Sequence, residues 1–171
     1  MYYSARPITV VLALLLPGIG AVACSGTADR VTPAQRAAAD RAIRSEVTAA
    51  YDFTRPNVVG NLMALYAPTG RIVSASGGRV TVSRDSLRMG ISAFWENVGR
   101  NMRDPHVQWT SMYIDVFAPD AAVMTATYRI PHTQPNGMTH VLGGAWTAAF
   151  ALRGGRWFIV HEHLSDDPLA R

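Results

Sequence analysis

The chain has 171 residues, with 16 basic side chains, all arginine, against 12 acidic ones, for a net charge of +4 spread along the sequence without a basic stripe. That pattern argues against a nucleic-acid partner. One domain is the natural count, because a chain of about 150 residues can bury roughly two-thirds of its unfolded surface. Cys24 is the single cysteine, so no intramolecular disulfide is available and the core must hold the fold.

Arg6 is the only charge before Asp29, and residues 8–22 form an almost unbroken apolar run. At roughly fifteen residues this is short for a membrane span and suits a signal-peptide core. Ala21 and Ala23 put small residues ahead of Cys24, and the tetrapeptide Ala21-Val22-Ala23-Cys24 resembles a bacterial lipobox, with Ala21 where leucine is usual. The expected organisation is a signal peptide over 1–23, a tether over 24–31 beginning at a lipidated Cys24, a domain over 32–166 and a tail over 167–171. The protein is then exported and held on a membrane of the cell envelope through Cys24. Cleavage after Ala23 to a periplasmic or secreted form, and an uncleaved anchor with an inert thiol, are the alternatives.

Thr32-Pro33-Ala34-Gln35 carries a capping box with proline at the first helical position. Ala39, Ile43, Val47, Ala50 and Tyr51 follow at steps of three and four, predicting a helix to about Phe53. Asn57 can cap a short second helix through Leu62, Leu65 and Tyr66, ended by Pro68 and Gly70, and 71–75 reads as a strand closed by Gly77-Gly78. Ser83 caps a third helix with Leu87, Ile91, Phe94, Trp95, Val98 and Met102 on one stripe. Four long β-rich segments follow at 106–117, 121–132, 138–152 and 157–165, divided by Pro119-Asp120, Asn136-Gly137 and Gly154-Gly155. Helices first and an antiparallel meander after describe an α+β domain, three N-terminal helices packed on a curved antiparallel sheet.

Opposed residues of an antiparallel pair face the same side, so turn lengths set the faces. Two-residue turns at Gly154-Gly155 and Asn136-Gly137 put Leu152 opposite Trp157, Phe150 opposite Ile159, Ala148 opposite His161, Trp146 opposite His163, Thr133 opposite His140 and Thr127 opposite Trp146. The helix-facing side then carries Thr125, Thr127, Arg129, His140, Trp146, Trp157, His161 and His163. The reverse side carries Tyr128, Thr147 and Glu162. Tyr113 and Asp115 stay open between the faces, because the Pro119-Asp120 turn can differ by one residue.

The closing stretch GGRWFIVHEHLSD resembles the last strand of SnoaL-like domains in the nuclear transport factor 2-like superfamily and of the related kinase association domain. The likeness extends from about Ala34 to Asp166 through NLMALYAPTGRIVSASGG, SRDSLRMGISAFWENV and AVMTATYRI. It implies a cone-shaped α+β barrel around a pocket, commonly dimeric, serving isomerases, cyclases, dehydratases and binding or assembly modules. In the kinase association domain the strand matching AVMTATYRI ends in a pocket arginine, which Arg129 matches, while a second pocket arginine falls on Ala148. Of the steroid-isomerase set Tyr51 matches the tyrosine, but Ser74 stands where the base should be and 138–152 contains no acid.

Three functions follow. The first is an exported domain binding a small, mostly apolar ligand, with Tyr51, Trp95, Thr127, Arg129, His140, Trp146, His161 and His163 as contacts and an anionic or carbonyl end held by Arg129 and the histidines. The second is an isomerase, cyclase or hydrolase in which His161 or His163 is the base and Arg129 or Tyr51 steadies an oxyanion. The third is a dimeric assembly module. His140, His161 and His163 lack a carboxylate to complete a metal site, and no cofactor is expected. The same histidines read otherwise as packed residues bonded to the backbone or to helix side chains, the tryptophans as core, and Glu162 as pairing with an arginine across the sheet or with a partner's surface.

Overall fold

The computed structural model describes residues 31–167. The expected signal peptide, Cys24, all of the tether but Val31 and all of the tail but Asp167 lie outside that range. Helix α1, Pro33–Ala50, opens with the capping box: the Gln35 N–H donates to the Thr32 hydroxyl at 3.2 Å and the Thr32 N–H to Gln35 Oε1 at 2.8 Å. Ala39, Ile43, Val47 and Ala50 are its buried stripe, and the helix stops at Ala50 with Tyr51 as its C-cap. Helix α2, Val58–Met63, is shorter than expected. Asn57 starts it through left-handed backbone (φ 58°) without a side-chain capping bond, and Leu65 and Tyr66 fall beyond its end.

Strand β1, Val73–Ser76, turns at Gly77-Gly78 into β2, Arg79–Thr81, a short strand that the sequence reading left unassigned. Ser83 accepts from the Ser86 N–H to cap helix α3, Arg84–Asn97, and a single 3-10 turn, Gly99–Asn101, follows. Leu87 and Met102 of the expected stripe are buried, but Ile91, Phe94 and Trp95 are half-buried and Val98 is 40% exposed. Helix α3 therefore stands over a space rather than seating fully on the sheet.

Strands β3 (Gln108–Ala118), β4 (Ala121–Thr133), β5 (Thr139–Arg153) and β6 (Arg156–Asp166) form the expected meander. The sheet order is β2-β1-β6-β5-β4-β3, with β1 parallel to β6, so the curved sheet is mixed and does not close. The α+β architecture is as expected: three helices on one face of a six-stranded sheet.

The register differs from expectation in two places, and together these rearrange the faces. The Gly154-Gly155 turn (φ 58° and 79°) sets Leu152 opposite Trp157 and Phe150 opposite Ile159, as its two-residue length requires. The ladder then slips. Ala149 opposes His161, which leaves Val160 as an extra, bulged residue. Beyond it Glu162 stands opposite Ala148 and Leu164 opposite Trp146.

In the β4–β5 hairpin the Gln134 N–H bonds to the Met138 carbonyl, so the loop is Pro135-Asn136-Gly137, three residues with Gly137 at φ 87°. Met124 thus opposes Ala148, Ala126 opposes Trp146 and His132 opposes His140. A slip of one residue turns every later side chain to the other face. Thr125, Thr127, Arg129, His161 and His163 are exposed on the outer face, and Met124, Ala126, Glu162 and half-buried Tyr128 point inward. Tyr113, 67% exposed, and Asp115 are on the outer face too.

Candidate functional site: a cavity floored by Glu162

Glu162 is 1% exposed, the one acidic side chain among the buried residues described. Three segments bring its partners. Tyr66, beyond α2, is tied to β6 by a parallel bridge to Ile159, and its hydroxyl lies 2.9 Å from each carboxyl oxygen. Ser74 pairs with Glu162 across the β1–β6 ladder and its hydroxyl donates at 2.7 Å to Oε1. Trp146 on β5 donates its indole N–H at 2.9 Å to Oε2. Burial pushes the Glu162 carboxyl above its ordinary value, and the bonds from Ser74, Tyr66 and Trp146, with the charge of His161, offset part of that rise.

Above the carboxyl, between α3 and the sheet, lies a cavity of about 750 Å³. Leu87, Ile91 and Phe94 of α3 form its roof, and Ile130, Leu142 and Leu164 of the sheet form an apolar wall. Tyr51 and Phe53 line the side under α1, Ser74 and Ser76 the edge at β1, and Arg79 and Asp166 are exposed among its lining residues. Burial raises the Tyr51 hydroxyl well above its ordinary value, with the charges of Glu162 and Tyr128 adding to the rise. Burial and the charge of Asp166 raise Tyr128 as well. These phenols therefore remain protonated donors. Behind Tyr51 the rings of Trp109 and Trp146 follow, with centroids 5.5 and 5.3 Å away.

Of the residues the sequence singled out, Tyr51 lines this cavity. Trp146 is buried behind it as the Glu162 donor, and Trp95 packs on Phe53 at 5.9 Å outside the lining. Thr127 is exposed and bonded to Thr110 and Ser111 at 2.6 and 2.7 Å. Arg129, His161 and His163 are on the outer face, so the proposed grip on an anionic end and the histidine-base geometry are not formed there. His140 stands opposite His132 near the β4–β5 hairpin, ring centroids 5.0 Å apart, away from the other two histidines. Among the described residues no group of three or more side chains is set to hold a metal.

Glu162, Tyr66 and the α3 roof are the residues that the sequence reading missed. One signal pointed to Glu162 and another to the β4 register: Leu164 is apolar yet out of phase with Trp157 and Ile159, which a bulge between them explains, and Pro135 suits the second position of a turn ending at Gly137.

The profile of a family described as a SnoaL-like domain matches residues 43–170. Comparison with curated proteins finds no match. Among solved structures the chain is similar to a candidate scytalone dehydratase from Novosphingobium aromaticivorans (16% identity, 80% of this chain and 89% of that one, TM-score 0.65). It is similar to a candidate dehydratase of the nuclear transport factor 2-like family from Streptomyces avermitilis (16%, 78% and 99%, 0.63). A candidate calcium/calmodulin-dependent protein kinase II association domain from Xanthomonas campestris also matches (20%, 78% and 88%, 0.57). At these identities the likeness shows the fold.

Proposed function

The chain belongs to the SnoaL-like domain family, and from that premise we propose that it binds a small, mostly apolar molecule in the cavity under α3. The observation that carries this reading is the cavity itself, about 750 Å³ in volume with a largely apolar wall that also includes Glu162, Tyr51 and Tyr128. Ligand sites have this size and this mixture. Thermal-shift screening with steroids, aromatic polyketides and hydrophobic amines tests it, with Ile91→Trp as the control that fills the space beneath the roof. A ligand-induced shift in the wild type that vanishes in Ile91→Trp is the expected result; an equal shift in both places the ligand elsewhere.

Catalysis is the second reading, supported by the raised Glu162 carboxyl. Such a group can deliver a proton to a departing oxygen, as dehydration requires. Turnover lost in Glu162→Gln while the melting temperature is kept supports it, and undiminished turnover sinks it. Export and anchoring through Cys24 stand as a proposal that palmitate-analogue labelling checks, the label being lost in Cys24→Ser. Dimerisation through the outer face is supported by Tyr113 and Phe117, 67% and 70% exposed there, and light scattering that finds monomer at all concentrations removes it.

A further inference from the structure

The charge of the cavity runs against that of the chain. Basic residues outnumber acidic ones 16 to 12 overall, yet two carboxyls, Glu162 and Asp166, line the cavity beside one guanidinium, Arg79, which is exposed on β2. Arg71 and Arg88 are close in sequence but outside the lining, and three further arginines are committed elsewhere: Arg84 to the carbonyls of Met63, Tyr66 and Ala67, Arg153 to that of Thr69 and Arg156 to Glu46.

Glu162 is thus a deeply buried carboxyl whose bonded partners, Tyr66, Ser74 and Trp146, are all neutral. His161 acts on it only from the exposed side of the sheet. A carboxylate offers about four lone-pair positions and these partners supply one proton each, so room for one more donor remains. Buried charges are ordinarily paired, and here the counter-charge is missing among the described residues. The rest of the wall has the same preference. Tyr51, Phe53, Phe94 and Tyr128 present aromatic rings, whose faces carry partial negative charge and attract cations.

Given the reading of the cavity as a small-molecule site, we infer that its ligand is a lipophilic cation, an amine or ammonium group bound at Glu162 with an apolar body under α3. Asp166 lies among the lining residues as a second, exposed negative group. An anion would enter a low-dielectric space without a buried positive partner, and a neutral molecule would bring the carboxyl no counter-charge and leave a proton to neutralise it.

Isothermal titration of the whole domain with three probes of one shape tests this: naphthylmethylamine, naphthylmethanol and naphthylacetic acid at neutral pH. The amine is expected to bind at least about tenfold more tightly than the alcohol, with the acid weakest. Glu162→Gln should bring the amine down to the alcohol's affinity. In Asp166→Asn, an exposed change that spares the core, the amine should weaken by about threefold. Alcohol or acid binding as tightly as the amine overturns the cationic assignment and leaves the cavity reading standing. An amine preference retained in folded Glu162→Gln, or unchanged in Asp166→Asn, overturns it also. Binding of none of the three, or binding undiminished in Ile91→Trp, removes the cavity reading and this inference with it.

Discussion

Glu162 and its neighbours His161 and His163 are adjacent on one strand, yet their surroundings are opposite. The carboxyl is 1% exposed and takes bonds from Tyr66, Ser74 and Trp146, whereas both imidazoles lie in solvent on the outer face. The difference comes from the single extra residue, Val160, that β6 accommodates opposite the Ala149–Phe150 step. Before it Trp157 and Ile159 point inward; after it Glu162 and Leu164 do. A strand is a chain of binary choices, and one bulge reverses all that follow.

The largest effect should separate the two sides directly. Glu162→Leu leaves three buried donors unpaired and should cost about 3 to 5 kcal/mol in urea unfolding. His161→Leu and His163→Leu should stay within about 0.5 kcal/mol. Comparable losses at the three positions would break the face assignment.

Deleting Val160 sharpens the same comparison. The pairs Phe150–Ile159 and Ala148–Glu162 already flank the bulge, so removing the extra residue yields a regular ladder with Glu162 still inside. The expected cost is about 1 to 2 kcal/mol, from the lost side chain and the straightened strand. The deletion variant should keep the native near-ultraviolet spectrum of its tryptophans; losing it would show that the bend, and not the alternation alone, holds Glu162 in place.

Acidity distinguishes the inward carboxyl from ordinary surface ones. Because burial raises Glu162 in the folded state, its contribution to stability is full below the ordinary carboxyl value and is lost as pH rises through the raised one. Melting temperatures across that window should fall with pH in the wild type and fall less steeply in Glu162→Gln. Identical slopes would contradict the burial of an ionisable group at this position. The smallest effect belongs to the outer wall. Arg129→Ala should leave ligand binding unchanged, since Arg129 is exposed on the face away from the cavity, and weaker binding in titration would put it back in the site.

Much of this was legible in the residues. The capping box at Thr32, the α3 cap at Ser83, the glycine turn at 154–155 and the strand boundaries each depend on local chemistry, and each occurs within a residue or two of its expected place. Pro135 and the out-of-phase Leu164 were local signals of the other register, but two-residue turns at both hairpins gave a self-consistent alternative surface with the two histidines inside. Tyr51 was found because it continues the stripe of α1 and matches the tyrosine of the steroid isomerases; Glu162 was lost because an unbroken alternation from Trp157 puts it on the reverse side, and the three donors around it come from distant segments.

The sequence by itself determined the α+β class, the order and approximate extent of the long helices and strands, and the family, because hydrophobic period, caps and turn residues act over a few positions. Which side of the sheet meets the helices at β4 and beyond the bend of β6, and therefore which groups see the cavity, was decided only by the tertiary structure. Burying Glu162 is favourable only when Tyr66, Ser74 and Trp146, from 16 to 96 residues away along the chain, arrive at its two oxygens together. No local window of sequence contains that condition.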